Sequence, residues 1–205
     1  MVYRMTRKRL RKRSLLLVTA ELRERSGWAD EIVGEVVLTS DEIQEAVKKL
    51  GKKITEDYHD KNLLLVAILR GASVFLADLM REIHLPLEID FISVSSYGHL
   101  TKSSGVVRIM KDLAAPVESK HVLVVEDVVD TGLTWAYLKQ IIEARNPESV
   151  KICSLLDKPE TRKVPVTVDY VGFTLENKFV VGYGLDWKDQ YRNLPFIMVP
   201  KKHMK

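Results

Sequence analysis

Hydrophobic positions along the chain fall into two alternating rhythms. In LTSDEIQEAVKKLGKKITEDY (residues 38–58), Ile43, Val47, Leu50 and Ile54 share one helical face, and Thr39 and Glu42 have capping-box spacing. The segment predicts a helix, with Gly51 as a mild objection. NLLLVAIL (62–69) is a nearly unbroken apolar run, as expected for a strand covered on both faces. It ends in RGA, after which SVFLADLMREI returns to the helical period. LEIDFISVS alternates like a strand and runs into SYGHLTKSSG, too polar and too long for a tight turn. VVRIMKD reads as another strand. HVLVVEDVVDTGLTWAYLKQII opens on the β-branched run Val122 to Val125 and has helical spacing from Trp135 onward. SVKICSLLD is again a strand, with VDYVGFTL and KFVVGYGLD following. Strands alternating with helices through the first two-thirds predict an α/β fold with a central parallel sheet and right-handed crossovers.

Bulk properties narrow the class. At 205 residues the chain suits one domain, or one domain with an appendage, and 46% hydrophobic with 29% charged residues is ordinary for a globular protein. A single cysteine, Cys153, excludes an internal disulfide and a cysteine-rich zinc site, and it fits a reducing, cytoplasmic setting. No apolar run approaches a membrane span. The net charge of +4 is more than accounted for by YRMTRKRLRKR, which holds seven basic residues and no acidic one. The rest is close to neutral, so no nucleic-acid partner is expected across its surface. We divide the chain into a basic extension, 1–32, and a domain, 33–205. The extension reads as a solvated tail, a transit peptide or an anionic contact site, and no function is drawn from it.

The chemistry gathers where the strand at Val122 ends. Glu126 and Asp127 close a core strand, and Asp130, Thr131, Gly132, Leu133 and Thr134 lead into a helix. Loop amides and hydroxyls at a helix entrance would cradle a phosphate. Carboxylates beside them would repel it, yet they accept well from sugar hydroxyls and bind magnesium. A ribose phosphate satisfies both halves. The dinucleotide fingerprint and the Walker A loop are absent. The plainer reading, a helix cap beside two solvated acids, does not explain so many polar groups at one strand end.

VVEDVVDTGLT resembles the phosphoribosyl-diphosphate (PRPP) signature of type I phosphoribosyltransferases. LLVAILRGASVFLADLMREI, SSYG, SLLDKPETRKV, VDYVGFTLENKFVVGYGLDW and YRNLPFI extend the resemblance to the hypoxanthine-guanine members, bacterial ones above all, over roughly residues 33 to 200. The resemblance implies a central parallel sheet flanked by helices, with a small hood built from both ends of the domain. It implies purine salvage, with PRPP and 6-oxopurine bases as substrates, magnesium as cofactor, and a homo-oligomer, dimer or tetramer.

Residue roles follow from the same resemblance. Glu126 and Asp127 would hold the ribose hydroxyls and lie close to magnesium, with Asp186 a further metal ligand on the pyrophosphate side. Asp130 would take the purine N7 proton, and Thr131, Gly132, Leu133 and Thr134 would hold the 5′-phosphate. Leu133 brings no side-chain donor where some relatives carry lysine. Arg70 and Gly71, after an expected cis peptide at Leu69–Arg70, would meet pyrophosphate together with Arg192. Lys158 would donate to the purine O6, Phe179 would stack on the base, and Val180 and Asp186 would border its edge. Lys178 is expected near the 5′-phosphate loop. Ser96 and Tyr97 would belong to a lid that closes over the site. Two alternatives stay open: a preference for xanthine or for hypoxanthine alone, and an RNA-binding regulator on the same fold.

Overall fold

The computed structural model describes residues 32–96 and 107–201. Tyr97, the rest of the expected lid and the basic extension up to residue 31 lie outside the described residues, and Ser96 closes a strand. The first described element is β1 (Val33–Leu38), followed by helix α1 (Ser40–Asp57). The cap of α1 is the predicted box: Thr39 N donates to Glu42 Oε2 at 2.8 Å and Glu42 N to Thr39 Oγ1 at 3.3 Å. Gly51 lies within α1 where the helix packs closely on the next one, and it leaves no room for a side chain: a β-carbon there would stand 2.5 Å from the Glu82 carbonyl oxygen.

The chain continues through β2 (Leu63–Leu69), α2 (Ala72–Glu82), β3 (Leu87–Ser96), β4 (Val107–Lys111), β5 (His121–Val129), α3 (Leu133–Glu143), β6 (Ser149–Asp157), β7 (Tyr170–Thr174) and β8 (Ile197–Pro200). Helix α3 begins two residues before the helical spacing read from the sequence. Six strands form one sheet in the order β4-β3-β2-β5-β6-β7. All neighbours run parallel except β3 and β4. Alternation along β2 explains why the run is unbroken: Leu63, Leu65 and Ala67 join the core under α1 and α2, while Leu64, Val66 and Ile68 join the core under α3.

A second, two-stranded sheet pairs β1 antiparallel with β8, bringing the two ends of the described chain together. Its core is Ile32, Val33, Val36, Val181, Leu194, Phe196 and Met198. KFVVGYGLD contributes no strand, only isolated bridges such as Val181 to Met198. Gly182, Tyr183 and Gly184 all have positive φ, which turns the backbone out of an extended ladder.

Candidate active site

Connections from β2 lead to one side of the sheet and those from β5 to the other, so the crevice between β2 and β5 is the topological switch point. The register opens it further. Pairing of β5 with β2 stops at Val125, whereas pairing with β6 continues to Val129. Glu126 and Asp127 therefore sit just past the point where β5 has lost one neighbour.

Strand alternation sends these two carboxylates to opposite faces. Asp127 turns toward the start of α2, where a β-carbon on Gly71 would lie 1.7 Å from Asp127 Oδ2. Gly71 has ordinary helical dihedrals, so glycine is required there for space. Behind it, a β-carbon on Gly184 would stand 2.1 Å from the Gly71 carbonyl oxygen. The peptide before this stack, Leu69–Arg70, is cis, and Ser73 Oγ donates to the Arg70 carbonyl at 2.8 Å.

Glu126 turns the other way and lines a small cavity with Ile68, Thr131, Gly132, Trp135 and Ile152. The residue is partly open to this cavity, yet Oε2 is sealed from solvent and has no hydrogen-bond partner. Burial, and then the neighbouring Asp127 charge, push its carboxyl well above the usual range. Asp127 is pushed up to about 6, chiefly by burial; the Val128 N–H and the Arg192 charge pull the other way, and Asp186 adds to the rise.

After β5 the chain turns through Asp130, which is exposed, to Gly132, the residue before α3, with φ of 82°. The segment following β6 packs beneath this turn. Lys158 N donates to the Val129 carbonyl at 3.0 Å and Lys163 N to the Thr131 carbonyl at 2.9 Å. Between them Arg162 inserts its guanidinium: Nη1 donates to the carbonyls of Val129 (2.7 Å), Asp130 and Lys158 (3.3 Å), and Nη2 pairs with Asp157.

Lys158 is 6% exposed, and its ammonium donates to the Lys178 carbonyl at 2.7 Å. Lys178 directly precedes Phe179 and Val180 in the chain. Phe179 is 49% exposed, one of three large apolar side chains open to solvent among the described residues, whereas Val180 is buried. The Lys178 ammonium faces Glu35 at 3.9 Å and Glu176 at 3.8 Å.

Arg70, Arg192 and Asp186 come together through a residue the sequence reading did not single out. Asp189 Oδ1 accepts from Arg70 Nη2 at 2.6 Å and from Arg192 Nη2 at 3.3 Å. Arg192 Nη2 also pairs with Asp186 Oδ1 at 2.8 Å, and the Asp189 N–H donates to Asp186 Oδ2 at 2.8 Å. Asp189 was hidden because one acid in a polar loop carries no periodic signal. Arg162 escaped for a similar reason, since its partners are mostly carbonyls.

Among the described residues, no three carboxylate, imidazole or thiolate groups gather into a ready cation cage. Glu126, Asp127 and Asp186 do not converge. Asp127 and Asp186 are nonetheless close enough to feel each other, and their oxygens are the hard donors magnesium takes one or two at a time, completing its shell with water and phosphate. No described helix is long and apolar enough to cross a membrane.

Comparison with known proteins fits this geometry. The phosphoribosyl transferase domain model matches residues 37–188. A hypoxanthine-guanine phosphoribosyltransferase of Streptococcus pneumoniae is 49% identical over 172 residues, 84% of this chain and 96% of that protein. The bifunctional protein TilS/HprT of Listeria monocytogenes is 48% identical over 169 residues, but the chain spans only about a quarter (26%) of its length. The crystal structure of a hypoxanthine phosphoribosyltransferase from Staphylococcus aureus superposes with a TM-score of 0.83 at 43% identity, covering 87% of this chain and 96% of that one.

Proposed function

The chain belongs to the phosphoribosyl transferase domain family, and we propose that it is a hypoxanthine-guanine phosphoribosyltransferase of purine salvage. It joins N9 of hypoxanthine or guanine to C1′ of PRPP. The C1′–oxygen bond to pyrophosphate breaks, the configuration at C1′ inverts, and the base gives up one proton. The observation that carries this reading is the coupling of a buried lysine to an exposed aromatic beside the Asp130 turn. Lys158 N holds the Val129 carbonyl while its ammonium holds the carbonyl of Lys178, the residue before the exposed Phe179.

Each residue then has a task. Phe179 offers a face on which a purine stacks. The Lys158 ammonium, a donor only, favours a 6-oxo over a 6-amino group. The Asp130 carboxylate accepts the N7 proton as the glycosidic bond forms. Thr131, Gly132, Leu133 and Thr134 hold the 5′-phosphate at the start of α3. Arg70, Gly71 and Arg192 stabilise the departing pyrophosphate, whose charge grows as the ribosyl centre becomes cationic. Asp127 and Glu126 take the ribose hydroxyls. Asp127 and Asp186 would hold magnesium, which when bound neutralises diphosphate charge. A dimer or tetramer working in the cytoplasm extends the proposal.

The test is product identity. With PRPP and magnesium, hypoxanthine and guanine should give IMP and GMP, each with one equivalent of pyrophosphate by mass spectrometry, and adenine should give no nucleotide. Adenine turned over as well as hypoxanthine would overturn the base assignment. Xanthine in the same panel ranks the remaining 6-oxopurine.

A further inference from the structure

We propose that Arg162 is a positioning residue that presets the Asp130 turn for both the 5′-phosphate and the base. The inference rests on the function proposed above. Three consecutive carbonyls, those of Val129, Asp130 and Thr131, are all drawn to one side by the segment that follows β6. Arg162 Nη1 takes the first two, and Lys163 N takes the third at 2.9 Å. In a trans peptide the N–H of the next residue points opposite to the carbonyl. Among the described residues the one cis bond recorded is Leu69–Arg70, so the N–H groups of Asp130, Thr131 and Gly132 are turned away from Arg162. That is the orientation an anion at this turn needs.

The same guanidinium reaches the other half of the site. Its Nη1 also donates to the Lys158 carbonyl at 3.3 Å, and its Nη2 pairs with Asp157, the last residue of β6. Arg162 and Asp157 are both only 15% exposed at the side chain, so the pair is shielded from water, where charge-assisted bonds are strong. One rigid fork thus fixes the turn bearing the proton acceptor Asp130 against the backbone of the O6 donor Lys158. Gly132 adds to the fit: a β-carbon there would lie 2.8 Å from Val166 Cγ2 and 3.4 Å from Arg162 Cδ, so the turn lies directly on this segment. Lysine cannot replace the fork, because a single ammonium has no second, coplanar nitrogen for Asp157.

Arg162→Lys separates this role from general stabilisation. Binding of IMP, which spans the phosphate turn and the base pocket, should weaken about tenfold by calorimetry, since misplacing site groups by a fraction of an ångström has effects of this size. Binding of magnesium pyrophosphate, held at Arg70 and Arg192, should stay within about twofold, as expected for a site that shares no partner with Arg162. Asp157→Asn should shift IMP in the same direction by less, and serves as the test if Arg162→Lys does not fold. Unchanged IMP binding, or parallel weakening of IMP and pyrophosphate, would overturn the positioning role while leaving the proposed function standing. A wild-type chain that binds neither ligand and turns over no 6-oxopurine would bring down the proposed function itself, and this inference with it.

Discussion

Gly71 and Asp127 touch at the switch point of the sheet, with room for no atom between the glycine and the carboxylate: a β-carbon would lie 1.7 Å from Oδ2. The Gly184 peptide blocks retreat from behind, because it packs on the Gly71 carbonyl. Gly71→Ala must therefore displace Asp127. We expect turnover to fall by about a hundredfold, the scale of an ångström-sized misplacement, with the fold retained. Steady-state kinetics beside circular dichroism of Gly71→Ala provide the check.

Phe179 should matter for binding and little for stability. Truncating a buried phenylalanine costs about 3–5 kcal/mol, but this ring is 49% exposed and has much less burial to lose. Phe179→Ala is expected to melt within a few degrees of wild type. Its KM for hypoxanthine should rise roughly tenfold, the loss of about 1.4 kcal/mol of stacking. Thermal melts and base-saturation curves measure the two effects separately.

Lys158 combines both costs. Its ammonium satisfies the Lys178 carbonyl, so Lys158→Met leaves a carbonyl without its donor and should cost about 1–3 kcal/mol of stability. Discrimination between hypoxanthine and adenine should collapse along with it. The ratio of kcat/KM values for the two bases tests the prediction, and a preserved ratio would remove Lys158 from base selection.

Much of this molecule was legible in its residues, and the division has physical reasons. The capping box at Thr39 and Glu42, the unbroken run of β2 and the turn into a helix after β5 are local patterns, and local patterns survive folding. The pairing of β1 with β8 depends on contacts between residues more than 150 positions apart, and its short, bulged strands carry no clear period. Arg162 and Asp189 act on backbone carbonyls and on other side chains that only the fold brings near. Adjacency in sequence also hid something: Glu126 and Asp127 look like one acidic pair but occupy opposite faces of a strand.

The two raised carboxyls give a pH dependence with a definite sign. Asp127 titrates at about 6 in the folded chain, against 3.8 ordinarily, and Glu126 is raised as well. Between those values the folded state binds more protons than the unfolded state, so stability falls as pH rises through the window. Without metal or substrate the chain should be more stable at pH 5 than at pH 7, Asp127 alone contributing on the order of 1–2 kcal/mol and Glu126 adding in the same direction. Asp127→Asn and Glu126→Gln should each flatten the profile. Chemical denaturation in chelator across this range reads it directly.

The most direct measurement is the initial rate of IMP formation from hypoxanthine and PRPP with magnesium, for the wild type and for Asp130→Asn. Asn keeps the size of the side chain and removes the proton acceptor. The account predicts measurable wild-type turnover and a loss of roughly a hundredfold or more in the variant, with an unchanged melting temperature. A variant as fast as the wild type would contradict the assignment of Asp130, and a folded wild type that makes no IMP would contradict the proposed function.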